Sequence, residues 1–105
     1  MAAERSVLDG LLDRVEAALL RHWPELPEPT AEAIATGGAF GSATMAYPQW
    51  LRYVFVPAAR VRIATGDLPT TSSLGVQAVR EFDGVDELRE LTDLLGAFDV
   101  AVTDG

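Results

Sequence analysis

Apolar residues recur at spacings of three and four through the first part of the chain. Leu8, Leu11, Leu12, Val15, Ala18 and Leu19 share one face of a 3.6-residue period, and Asp9, Asp13, Arg14 and Glu16 fall mainly off it. That pattern predicts an amphipathic helix over 6–22. Ser6 is expected to cap it and Asp9 to suit the positive end of the helix dipole. The segment Trp23-Pro24-Glu25-Leu26-Pro27-Glu28-Pro29 cannot continue a helix. Its prolines remove amide donors and push the residues before them towards extended backbone, so a semi-rigid connector is expected. Thr30 is placed to cap a short helix through Ala35, ended by Gly37-Gly38.

The next pattern is broader. Over 47–65, Trp50, Val54, Pro57 and Val61 make one helical stripe, and Leu51, Phe55 and Ala58 a second beside it. Val56, Ala59 and Ile63 cover much of the remainder. A helix apolar on most sides reads as the buried centre of a bundle. Pro48 suits its first turn, whereas Pro57 predicts a kink near 53–57. Gly66-Asp67-Leu68-Pro69 reads as the stop, and 70–73 as polar loop. Leu74, Val76, Val79 and Phe82 predict a short helix closed by Asp83-Gly84, with Asp83 also capping the last helix. Leu88, Leu91, Leu94, Leu95 and Phe98 form a final stripe, with Asp86, Glu87, Glu90 and Asp93 elsewhere, and 100–105 is expected to fray. No strand-period segment competes outside 53–56. The expected fold is all-α: a four- or five-helix bundle around a central Pro-kinked helix, with 1–105 as a single helical domain.

Composition narrows the chemistry. The 105 residues include 16 acids, 8 arginines, one histidine and no cysteine, for a formal charge of -8. No cysteine excludes disulfides and thiolate chemistry, and a lone His22 excludes multi-histidine metal sites. The charge argues against a broad nucleic-acid footprint, which needs a basic face. The longest uncharged apolar run, 54–59, is far short of the roughly 20 residues that span a membrane. Glu4 and Asp9 fall where a signal peptide would be apolar, so the expected location is cytoplasmic.

Candidate active-site patterns fail on inspection. The cluster Gly37-Gly38-Ala39-Phe40-Gly41-Ser42 lacks the lysine of a phosphate loop and the leading strand of a dinucleotide site, and reads as a flexible loop. Ser42 and Ser73 have no histidine base within reach in sequence, and His22 is suited to a helix-end carbonyl. Asp83, Asp86, Glu87, Glu90 and Asp93 lack calcium-loop spacing and read as a solvated helix face. No catalytic residue, cofactor or metal is expected, and the chain is read as a non-enzyme.

One feature stands out. Residues 1–32 carry seven acids and three arginines, 33–66 no acid and three arginines (Arg52, Arg60 and Arg62), and 67–105 nine acids and two arginines. Two acidic ends of net -4 and -7 therefore flank a middle of +3. The middle also holds Phe40, Tyr47, Trp50, Tyr53 and Phe55, five of eight aromatics. Arginine beside Tyr or Trp suits an interface, and its planar donor fork suits carboxylates or phosphate. Core packing is the competing explanation.

Within this segment, 44–57 resembles the YqcC-like family, small bacterial proteins of unknown function. Phe40, Thr44, Met45, Gln49, Trp50, Leu51, Phe55 and Pro57 carry the likeness, which extends through Leu68-Pro69 to the last leucine stripe. Ala43 stands in place of the family's aspartate, Arg52 of its glutamine, and Ala58-Ala59 of its Arg-Met. The resemblance implies an all-helical bundle and an association with tRNA pseudouridine synthases. The expected function is accordingly a non-catalytic interaction module, an accessory to an RNA-modifying protein partner. Its expected contact residues are Phe40, Thr44, Gln49, Trp50, Arg52, Tyr53 and Arg60. The alternative is a small-ligand or RNA-binding pocket beside the Pro57 kink, and a third reading is a homodimer through the second apolar stripe.

Overall fold

Leu8, Leu12, Val15, Ala18 and Leu19 are all fully buried along one side of α1 (Arg5–His22), as the three-four spacing requires. The computed structural model describes residues 5–67 and 73–104. Ser6 lies inside α1 and does not cap it, and Asp9 lies beyond the first turn. After the connector, Thr30 caps α2 (Ala31–Thr36), its hydroxyl accepting from the Ala33 amide at 3.1 Å. The expected stop residues Leu68 and Pro69, and the loop residues Thr70, Thr71 and Ser72, lie outside the described residues.

The helix over 47–65 is built in three parts: α3 (Tyr47–Trp50), a π-helical turn (Leu51–Phe55) and α4 (Val56–Thr65). The Val56 amide donates to the Leu51 carbonyl five residues back. Pro57, the next residue, has no amide and would press its ring on the preceding turn, and a wider turn relieves that clash. The expected kink is thus realised as one extra residue in the helix. That residue also changes which side chains face inward. Leu51, Val56 and Ile63 are buried at spacings of five and seven, whereas Pro57 is exposed and Val61 is 63% exposed. The helix buries one face rather than most of its surface.

The last two helices are α5 (Leu74–Phe82) and α6 (Arg89–Asp104), joined through a 3-10 turn at Asp86–Leu88. Val85 precedes that turn, so Asp83 caps nothing there. On α5 the inward side is Leu74, Ala78 and Phe82, leaving Val76 and Val79 exposed. On α6 Leu91, Leu95, Phe98 and Val102 are buried, so over 100–104 a helix anchored in the core replaces the expected fraying, and Gly105 lies outside the described residues. Leu94 is partly buried against it.

The helical segments form an all-α bundle with no strand among the described residues. Helix α6 packs against both α5 and α1, and α1 against α4. The start of α5 is held from outside itself: the Asp99 carboxylate of α6 accepts from the Leu74 and Gly75 amides at 3.0 and 2.6 Å. Ser73, in the capping position, supplies no side-chain bond. An anionic acceptor at two orphan amides both completes the helix end and complements its dipole. Gly75 allows the close approach, since a Cβ there would lie 3.0 Å from the Gly96 Cα.

Candidate functional site

The acid-free middle folds onto the bundle through its aromatic rings. Phe40 meets Tyr47 and Trp50 edge-on at 6.1 and 5.3 Å. Trp50 stacks between Tyr47 at 5.9 Å and Phe55 at 5.8 Å. Tyr47 continues to Phe82 and Trp23, and Phe55 to Phe98. Offset and edge-on pairs of this kind add to area burial. Trp50 and Phe40 are half-buried and packed against the core.

The glycine cluster that reads as a flexible loop is a packed 3-10 turn, Ala39–Gly41. Phe40 has φ 55°, a left-handed conformation costly for a non-glycine residue, and Gly41 has φ 66° beside Met45 and Trp50. The strained turn delivers the Phe40 ring to Trp50.

Most polar residues of the expected contact set are engaged within the molecule. The Thr44 hydroxyl donates to the Ala33 carbonyl at 2.5 Å, tying the turn to α2. Gln49 accepts from the Ala46 amide at 2.9 Å, which is half of a capping box, and donates to the Pro27 carbonyl at 2.9 Å. The Tyr53 hydroxyl donates to the Leu26 carbonyl at 2.8 Å. Gln49 and Tyr53 thus strap the proline connector to α3 and the π-helical turn. A segment with few amides of its own to donate is held through its carbonyls.

Arg60 reaches back to α1, with ion-pair distances of 2.8 Å to Asp13, 3.3 Å to Glu16 and 3.8 Å to Asp9. Its hydrogen bond to Asp13, with the charges of Asp13 and Glu16, raises the guanidinium pKa above its ordinary value against an opposing effect of burial. Arg62 donates to the Asp67 carbonyl at 2.7 Å and closes the end of α4. Arg52 lies over the Tyr53 ring, 5.0 Å from its centroid, and makes no ion pair among the described residues. The +3 of the middle segment therefore presents one arginine not paired with an acid.

Tyr47 is the one strongly shifted titrating group among the described residues. Its hydroxyl donates to the Leu74 carbonyl at 3.1 Å, and burial, with the charges of Asp99 and Glu81, pushes its pKa well above the usual phenol value. The folded state thus holds this proton more tightly than the unfolded chain. Its contribution is complete below about pH 10 and is lost as pH rises towards the folded value. The chain has no lysine or cysteine, and Tyr53 is the other phenol, so the alkaline limb is unusually simple. Above about pH 10 stability is expected to fall by up to about 1.4 kcal/mol per pH unit from this group. In Tyr47→Phe that fall is expected to be shallower, with about 1 kcal/mol lost at neutral pH through the missing hydrogen bond. Urea unfolding between about pH 8 and pH 11.5 measures both.

The exposed apolar surface on α5 and α6 is not apparent from the stripe that places Val76 and Val79 inside. The signal available in the sequence is Leu74, Ala78 and Phe82 at strict intervals of four, which claim the inward face and turn both valines outward. No helix among the described residues is long and apolar enough to cross a membrane.

A family model described as DUF446, tRNA pseudouridine synthase C, matches residues 7–101. No curated protein and no solved structure matches the chain.

Proposed function

The chain belongs to the family described as DUF446, tRNA pseudouridine synthase C, and from that membership we propose that it is a non-catalytic accessory module that binds a tRNA pseudouridine synthase. The YqcC-like resemblance of 44–57 leads to the same enzyme class. The observation that carries the accessory reading is the fate of the arginines. Arg60 and Arg62 pair with Asp13, Glu16 and Asp67 of the same chain, and Arg21 pairs with Glu90 at 2.5 Å. What the surface offers a partner is then mainly carboxylate, which repels a phosphate backbone and attracts a basic protein. An RNA-modifying enzyme, itself adapted to polyanions, is such a protein.

The proposal is tested with the purified chain, a purified tRNA pseudouridine synthase from the same organism and its tRNA. The chain alone is expected to form no pseudouridine and to show no salt-sensitive tRNA binding, while forming a complex with the synthase. Pseudouridine formation by the chain alone, or tRNA binding that weakens steeply with salt and is lost in Arg52→Glu, would overturn it. The second outcome would favour a nucleic-acid site at the π-helical turn.

A further inference from the structure

Helices α5 and α6 run antiparallel, with Leu74 and Gly75 beside Asp99 and Gly96. Along their outward side lies an open groove of about 580 Å³, lined among others by Gly75, Val76, Val79, Asp93, Gly96 and Val100. It meets a second hollow of about 240 Å³ that shares Val79 and Asp93 and continues to Asp83, Val85, Asp86 and Arg89. Val76, Val79 and Val100 are 60, 55 and 58% exposed, an apolar cluster with no covering element among the described residues.

We propose that this groove docks a basic amphipathic helix of a protein partner. The periodicity supports a helix. Positions 76 and 79 on α5, with Asp83 just beyond its end, and 89, 93, 96 and 100 on α6 repeat at three and four, so two outward seams run side by side. A third helix laid between them meets both with its own i, i+3, i+4, i+7 face. The glycines leave the floor low: a Cβ at Gly96 would find no atom within 4 Å. Charge sets the chemistry of the occupant, because the rim carries Asp83, Asp86 and Asp93 against Arg89 alone, and the Arg89 guanidinium lies 3.7 Å from Asp86. Lysines or arginines flanking an apolar stripe satisfy that rim, whereas an acidic helix is repelled. The inference rests on the chain being a partner-binding module, but not on the identity of the partner.

Its test uses a labelled synthetic peptide with leucines at i, i+3, i+4 and i+7 flanked by lysines, beside the same peptide with glutamates for the lysines. The full chain is expected to bind the first and not the second, with amide shifts in NMR confined to α5 and α6. Val76→Ser with Val79→Ser, which leaves charge unchanged, is expected to weaken binding by about tenfold. Asp83→Asn with Asp93→Asn is expected to weaken it about fivefold at low salt, and Val61→Ser, exposed on α4, to leave it unchanged. Gly96→Leu, which fills the floor, is expected to block binding, and circular dichroism checks that each variant is folded. Binding of both peptides alike, no binding of either, or binding indifferent to the groove variants overturns the proposal. So does a chain that sizes as a dimer dissociated by those same variants, since the occupant is then a second copy. Failure of the synthase complex with peptide binding intact rejects the partner and leaves the groove standing.

Discussion

Leu95→Ala is expected to destabilise the chain by roughly 2–5 kcal/mol, the range of a leucine truncation that leaves a cavity. Leu95 is fully buried on α6, the helix packed against both α5 and α1. Neighbours on two sides restrict collapse into the vacated space, which places the cost towards the upper part of that range. A domain's whole margin is only about 5–15 kcal/mol, so a large share of it disappears. Val61→Ala is the informative partner, because helical periodicity through 50–61 assigns Val61 to a core stripe, whereas the folded chain leaves it 63% exposed. Its expected cost is within about 0.5 kcal/mol. Urea unfolding of both variants checks the pair, and comparable losses would show that the π-helical turn does not rotate α4 as described.

Gly41→Ala is expected to cost about 2–4 kcal/mol, from two sources that add at one residue. A side chain at φ 66° is held in the left-handed region, at about 1–2 kcal/mol. The new Cβ would also lie 2.8 Å from the Met45 Cγ and 2.9 Å from the Trp50 Cδ1. Methionine can move, but the indole is fixed between Tyr47 and Phe55, so the turn must shift and carry Phe40 with it. Gly38→Ala separates the two, since φ is 68° there but no atom lies within 4 Å of the added methyl. It is expected to show the backbone cost alone, with tryptophan fluorescence unchanged. Because ψ at Gly38 is -158°, its backbone cost is its own and the fluorescence is the comparison: unchanged tryptophan fluorescence in Gly41→Ala would contradict a turn packed on Trp50.

Where side-chain pattern alone determines structure, the sequence is readable. The spacing in α1, the Thr30 cap and the leucines of α6 are local signals, and each appears in the folded chain as expected. Beyond Leu51 the pattern misleads, because a stripe projected at 3.6 residues per turn cannot anticipate one inserted residue. Val56 and Ile63 replace Val54 and Val61 on the inward face for that reason. In α5 two β-branched valines resemble core residues, yet they lie roughly 100° (Val79) and 160° (Val76) round the helix from the Leu74–Ala78–Phe82 line.

The candidate contacts are harder to read. Gln49 and Tyr53 bond to backbone carbonyls of Pro27 and Leu26, acceptors that every residue carries and no motif marks. Charge counted along the chain isolates Arg60 from acids, although folding brings it to Asp13 and Glu16 of the first helix. The cap of α5 is likewise supplied by Asp99, 25 residues away from Leu74. Each of these depends on tertiary approach rather than on local sequence.

Isothermal titration of the chain into the purified synthase, with tRNA in a parallel cell, separates an acidic helical bundle that serves a tRNA pseudouridine synthase by binding the protein from one that binds the RNA. The predicted result is a saturable complex of defined stoichiometry with the synthase and no heat with tRNA. Saturable binding to tRNA and none to the synthase would contradict it.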